Sequence, residues 1–204
     1  MDSSTTLAAV HSILSNPSNQ WWLAALKGLR NGIVYGVKIR APHALVMTFL
    51  FGRGTVLQKL LTILKLTRIH ATNLAKFVFS YKLSTGAMEQ LTGAKRPWVV
   101  GMCAAVMGYF VFGDYNGVNM QINLYLLSRI LIGLYRLSIR KGYVPRPKFP
   151  VFPLFAATMW GIVLWLFEFH KPVLQPSLQN SMTYLYHDSN HWTQLLDFIW
   201  VNRL

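Results

Sequence analysis

The chain has few cysteines and few acidic residues, and both shortages limit the sites it can hold. Cys103 is the one cysteine among 204 residues, so an internal disulfide and a cysteine-based metal cluster are excluded. Six Asp and Glu residues are dispersed along the chain, which leaves few carboxylates for paired acid–base chemistry. The sequence also lacks phosphate-binding glycine loops, G-x-S-x-G elbows and dinucleotide-binding patterns. We therefore expect neither catalysis nor a bound cofactor.

Two histidines near the end of the chain superficially resemble a metal site. His187 and His191 are four residues apart and would share one face of a helix, with Asp188 between them. The H-E-x-x-H motif requires a Glu directly after the first histidine, and the sequence offers no third ligand. We interpret this segment as a solvated tail and predict no metal site.

Charged residues are scarce, at 13% of the chain, about half the roughly 25% usual in soluble domains. Hydrophobic residues make up 53%, and the mean hydropathy is +0.33. These values favour a membrane protein in which some helices are amphipathic or interfacial. The predicted fold is all-α, a multispan transmembrane helical bundle with amphipathic flanking helices.

The charge that is present is mostly positive, with 20 Lys and Arg residues and a net charge of +14. Because the basic residues lie between apolar segments, they suit anionic lipid headgroups better than nucleic acid. We therefore expect the lipid bilayer as a partner and no nucleic acid. No Lys or Arg precedes Lys27, so the basic start of a secretory signal or mitochondrial presequence is missing. Any organelle address is then expected to be internal or C-terminal.

Three apolar segments are predicted to cross the membrane. Residues 149–167 carry no formal charge over 19 positions, enough for a roughly 30 Å hydrocarbon core, and residues 97–113 are uncharged over 17. The third segment, 119–139, contains two arginines in an otherwise apolar helix. We favour a crossing for it because the basic residues of the flanking loops then fall on one side of the membrane.

A polar stripe runs along this third segment. Gln121, Tyr125, Arg129 and Arg136 follow at offsets of four, four and seven, which places them on one helical face. Such a stripe either packs inward against partners or lies at the membrane surface with its arginines in water. It is the best candidate for a solute path, and contact of its arginines with lipid phosphates is the competing explanation.

Small residues at four-residue spacing predict close helix packing. Residues 21–37 contain Gly28, Gly32 and Gly36, two successive G-x-x-x-G steps, and Ala41-Pro42 is predicted to end this helix. The same spacing recurs inside the predicted spans. Its members there are Gly101, Ala104, Ala105, Gly108, Ala157 and Gly161.

The remaining segments are predicted to flank the bundle. Residues 55–82 read as a long amphipathic helix, whose depth in the membrane is left open. Residues 171–204 form an interfacial tail, with Trp192 and Trp200 on one side of a predicted helix. Residues 1–20 are predicted to be mobile, and 21–204 to form a single membrane domain.

Four long runs of residues carry a resemblance to a known family. They are 27–51 (KGLRNGIVYGVKIRAPHALVMTFLF), 121–129 (QINLYLLSR), 161–170 (GIVLWLFEFH) and 174–186 (LQPSLQNSMTYLY). Together these runs resemble the peroxisomal membrane protein 4 family. The family is related to Tim-type translocase subunits, which also carry G-x-x-x-G seams. The resemblance implies a multispan protein of the peroxisomal membrane, but it does not imply protein translocation.

Two segments are candidate address signals. Residues 59–68 (KLLTILKLTR), with Lys59, Lys65 and Arg68, resemble segments held by the peroxisomal membrane-protein import receptor. The terminal residues 202–204 (NRL) distantly resemble S-K-L, which addresses soluble matrix proteins, so we favour the internal signal.

The function expected from these features is that of a non-enzymatic scaffold or assembly component, which packs against other membrane proteins or against copies of itself. The alternative is a solute pore or carrier lined by Gln121, Arg129 and Arg136.

Overall fold

The chain is helical apart from its loops and turns. The computed structural model describes residues 3–199, and no strand occurs among them, so the predicted all-α fold is confirmed. The α-helices in chain order are α1 (Ser3–Ser15), α2 (Gln20–Phe51), α3 (Val56–Thr92), α4 (Pro97–Phe112), α5 (Gly117–Arg140), α6 (Val151–Phe169), α7 (Pro176–Met182) and α8 (Leu195–Ile199).

Contacts divide the chain into two compact units, residues 1–135 and residues 136–204. From the sequence we expect one membrane domain over 21–204, preceded by a mobile segment over 1–20. Within that first segment the structure has α1 and a short 3₁₀-helix, Pro17–Asn19, whose start is capped by the side chain of Asn16.

Helix α2 is longer than predicted because Pro42 does not end it. The helix runs through Gln20–Phe51 with Pro42 inside, so the predicted break at Ala41-Pro42 is wrong. A proline within a helix removes one N–H donor and usually bends or breaks the helix. Here Ala44, two residues beyond the proline, is 2% exposed, so the packing of the buried face continues past Pro42 and maintains the helix.

Helix α3 begins where the sequence indicates and ends ten residues later than the predicted position 82. At its start, the Gln58 side chain accepts a hydrogen bond from the Thr55 N–H at 3.0 Å. The Gln58 N–H donates to Thr55 Oγ1 at 3.3 Å, which completes a capping box. The helix ends before Gly93, whose φ of 69° lies in the left-handed region that favours glycine.

Among residues 3–199, three helical segments are long and apolar enough to cross a membrane. They are Pro17–Phe51, Gly117–Arg140 and Val151–Phe169, and the last two coincide with the predicted spans at 119–139 and 149–167. Helix α4 is apolar but has 16 residues, about 24 Å, which is shorter than a roughly 30 Å hydrocarbon core. A crossing at 97–113 therefore stays a prediction.

The chain after α6 consists of short helical pieces. A π-helix (Thr183–His187) follows α7, and 3₁₀-helices occupy Lys171–Val173 and Asp188–Asn190. Trp192 precedes α8 and is not helical, so the predicted one-sided helix is confined to Leu195–Ile199 within the described residues. Trp200 lies outside them.

Candidate functional site

Helices α2 and α3 pack as an antiparallel pair along small residues, an arrangement that we name the small-residue seam. A Cβ built on Gly32 would lie 2.6 Å from the Cα of Ala75, and one built on Gly36 would lie 2.6 Å from the Cα of Ala71. Each step of four residues along α2 is thus matched by a step of four back along α3. At these two glycines the backbones are too close for any side chain.

Both ends of the seam follow the same register. A Cβ built on Gly28 would lie 2.9 Å from side-chain atoms of Val78 and Lys82, and one built on Gly86 would lie 3.2 Å from the Cβ of Trp21. These neighbours are side chains, which leave more freedom than backbone atoms. The tightest approach of the two helices is therefore at Gly32 and Gly36.

Arg40 continues the four-residue spacing of Gly28, Gly32 and Gly36. The seam register places it opposite Thr67, which is 8% exposed. The guanidinium of Arg40 donates a hydrogen bond from Nη1 to Oε1 of Gln121 on α5 at 2.8 Å. A cation thus lies where the small-residue pattern predicts another glycine or alanine.

Three buried polar atoms at this position have no hydrogen-bond partner among residues 3–199: Arg40 Nε, Thr67 Oγ1 and His70 Nδ1. Each unsatisfied buried polar atom costs about 1–3 kcal/mol. An arginine on a membrane-length helix is costly as well, and such residues usually face a bundle interior, a polar cavity or a functional path. We name Arg40, Thr67, His70 and Gln121 the Arg40 cluster.

Arg40, Thr67 and His70 were not among the site residues predicted from the sequence, although one signal for Arg40 was present there. The spacing 28, 32, 36, 40 and 44 is unbroken, and positions 28, 32, 36 and 44 are all buried glycine or alanine. The predicted helix covered only residues 21–37, with a break at Ala41-Pro42, so positions 40 and 44 were not considered as part of the spacing.

A chain of amide contacts joins α3 to the start of α5. Asn73 Nδ2 donates to Oδ1 of Asn119 at 3.1 Å, and Asn119 Nδ2 donates to the carbonyl of Asp114 at 3.0 Å. Asn119 is 2% exposed, so its side chain needs both partners. The hairpin of α2 and α3 is therefore linked to α5 by polar contacts at Asn73 and at Arg40.

The residues of the predicted polar stripe on α5 do not form one site. Gln121 contacts Arg40 of α2, whereas the Arg129 guanidinium lies over the ring of Tyr125, 4.9 Å from its centroid. Arg129 and Arg136 are both exposed. The stripe thus adds Gln121 to the Arg40 cluster and leaves its two arginines on the surface.

The small residues of α4 and α6 face open space, in contrast to those of α2. Within residues 3–199, and leaving out the helix's own neighbouring backbone, no atom lies within 4 Å of a Cβ built on Gly101, Gly108 or Gly161. Ala105 and Ala157 are exposed and Ala104 is half-buried. We name Gly101, Ala104, Ala105 and Gly108 the α4 row, and Ala157 with Gly161 the α6 row.

The predicted address residues Lys59, Lys65 and Arg68 lie outside the buried row of α3 that packs in the seam. Lys65 and Arg68 are exposed and border a cavity of about 470 Å³ together with Leu64 and Ile69. The Lys59 ammonium lies 5.4 Å from the ring centroid of Phe49 on α2. Lys65 and Arg68 are therefore accessible to a partner.

The histidines that resembled a metal site do not share a helical face. His187 ends the π-helix and its Nε2 lies 3.6 Å from Oε2 of Glu168, whereas His191 follows the last 3₁₀-helix in extended backbone. No group of three His, Cys, Asp or Glu side chains within residues 3–199 is placed to hold a metal ion.

A closely packed helix pair, interhelical polar contacts and three membrane-length apolar segments define a multispan α-helical membrane protein. No family model and no solved structure matches the chain. It is 52% identical over 197 residues to peroxisomal membrane protein 4 of Homo sapiens, which covers 97% of this chain and 93% of the relative. The protein of the same name from Bos taurus is 51% identical with the same coverage.

The chain therefore belongs to the peroxisomal membrane protein 4 family. It is a multispan protein of the peroxisomal membrane, so the location implied by the four resembling runs is confirmed.

Proposed function

We propose that the chain is a non-enzymatic component of the peroxisomal membrane that assembles with other membrane proteins or with copies of itself. The open α4 and α6 rows support this proposal. Lipid tails are as apolar as the helices, so helices associate in a bilayer chiefly through close backbone approach and van der Waals packing. An exposed row of small residues permits such an approach, as the seam does between α2 and α3.

The proposal is tested by placing bulk on each row. Gly108→Leu and Gly161→Leu are expected to reduce crosslinked assemblies in peroxisomal membranes several-fold without lowering the melting temperature of the purified chain. Val106→Leu and Met159→Leu are the matched controls, since a residue two positions away lies on the opposite face of the helix. Assemblies that persist undiminished in both glycine variants would refute the scaffold function.

A solute pore or carrier is the second candidate, and the Arg40 cluster favours it. Unsatisfied polar atoms beside a cation on a membrane-length helix are typical of a position that faces water or an anion. This function predicts anion flux in reconstituted vesicles, reduced several-fold by Arg40→Ala, Arg129→Ala and Arg136→Ala. The scaffold function predicts vesicles without flux from well-folded protein.

We also propose that the peroxisomal membrane-protein import receptor binds the chain through Lys59, Lys65 and Arg68. The exposure of Lys65 and Arg68 supports this. Replacing all three by Ala is expected to remove tagged protein from peroxisomes, as judged by imaging. Arg53, Lys95 and Arg96, replaced together by Ala, are the control of equal charge. Deleting residues 202–204, which lie outside the described part, is expected to change nothing.

A further inference from the structure

Three arginines meet at the end of α5 and in the loop that follows it. Arg136 and Arg140 lie one turn apart on the helix, and Arg146 belongs to the loop. The Tyr143 N–H donates to the carbonyl of Ser138, and the Gly142 N–H donates to that of Ile139, both at 3.0 Å. With Gly142 at a φ of 77°, this is a Schellman cap, which turns the loop back beside the last helical turn.

The cap leaves a cavity of about 680 Å³ between the helix end and the loop. Ligand sites commonly measure about 300–1,000 Å³, so the cavity is large enough for a lipid headgroup or a small metabolite. Its lining combines the three arginines with apolar residues. The apolar residues are Ile139, Val144 and Pro145.

The cavity has an unbalanced positive charge. No carboxylate is among its lining residues, and no ion pair involving these arginines occurs in the part of the chain that the structure describes. Lys141 and Lys148 add two more positive charges to the same loop. Guanidinium groups bind phosphate oxygens in paired, planar contacts, so a multiply charged phosphate matches this group of arginines.

The position of the loop indicates where such a phosphate comes from. Residues 141–150 connect α5 to α6, and both helices are long and apolar enough to cross a membrane. A connection of ten residues between two spans stays close to the bilayer surface, at the level of the lipid headgroups. The apolar part of the lining suits the glycerol and first methylenes of a lipid.

We propose that this cavity binds a phosphomonoester group carried by an anionic lipid headgroup. The three arginines hold the phosphate oxygens, and Ile139, Val144 and Pro145 contact the adjoining apolar part. A phosphomonoester has up to one more negative charge than a phosphodiester, so the site prefers it to ordinary diester headgroups.

The test is a binding titration of the full chain in neutral detergent. Dioctanoyl phosphatidic acid, a phosphomonoester, is expected to bind about tenfold more tightly than dioctanoyl phosphatidylglycerol, a phosphodiester. Competition by inorganic phosphate tests whether the bound phosphate belongs to a lipid or is free in solution. Weak competition by inorganic phosphate supports a lipid ligand, and competition as strong as that of the phosphatidic acid would overturn it.

Variants show whether the three arginines form a specific binding site or only attract the lipid through the net positive charge of the chain. Arg136→Gln, Arg140→Gln and Arg146→Gln are each expected to weaken phosphatidic acid binding about tenfold, whereas Arg53→Gln and Arg96→Gln, in other loops, leave it unchanged. Arg140→Lys keeps the charge but loses the paired contact, so an intermediate loss is expected. Equal losses in the five Gln variants, with all of them folded, would overturn the proposal.

Discussion

The small-residue seam and the α6 row have the same residue spacing and opposite surroundings. At Gly32 and Gly36 the backbone of α3 fills the space that a side chain would need, whereas at Gly161 that space is open. The spacing of small residues therefore specifies a face that permits close approach, and it does not specify the partner. In α2 the partner belongs to the same chain, and in α6 the partner is absent from the described part of the chain.

Bulk inside the seam is expected to have the largest effect. In Gly32→Leu the new side chain would overlap the backbone of Ala75 and Leu74, so α2 and α3 would have to separate. We expect a loss of about 3 kcal/mol in the free energy of unfolding in detergent. Gly161→Leu is the matched control, and an equal loss there would show that the seam and the α6 row do not differ.

The polar contacts that join the hairpin to α5 are expected to contribute less. Asn73→Ala and Asn119→Ala each remove the 3.1 Å contact, and Asn119→Ala also removes the bond to Asp114. A double-mutant cycle measured by unfolding should give a coupling energy of about 0.6–1.7 kcal/mol. Strictly additive losses would mean that the two amides do not interact in the folded protein.

The smallest expected effect is on the melting temperature, which should change in opposite directions when alanine replaces Gly161 and when it replaces Gly32. Glycine within a helix costs about 0.5–1 kcal/mol relative to alanine, so Gly161→Ala, with open space around it, should raise the melting temperature slightly. Gly32→Ala should lower it, because even a Cβ would lie 2.6 Å from the Cα of Ala75. Changes of the same sign at both positions would contradict the comparison.

The sequence was informative where periodicity alone decides the structure. The start of α3 near residue 55, the extent of α5 and α6, and the shared face of Gly28, Gly32 and Gly36 follow from hydropathy and the helical repeat. Which helix packs against a row of small residues depends on tertiary contacts. These contacts cannot be predicted from the spacing of the row alone.

The errors have a common physical cause, which is that tertiary packing can override a local preference. A proline disfavours the helix before it, yet α2 continues through Pro42 because its buried face extends to Ala44. Arg40 was missed because the predicted helix ended at residue 37, whereas α2 continues to Phe51. In the C-terminal tail a predicted helix is shorter than expected. Trp192 fits the helical repeat of that segment but lies before the start of α8.

The close contact between α2 and α3 also links the depth of α3 in a bilayer to that of α2. Gly32 touches Ala75 and Gly36 touches Ala71, so each pair lies at the same height along the hairpin. If α2 crosses the bilayer, α3 must then lie in the bilayer beside it. The outward side of α3 then brings Lys65, Arg68 and Lys76, all exposed, towards the oil. Such side chains need water or protein around them, so we expect a hairpin that crosses the bilayer to require further helices against the outward side of α3.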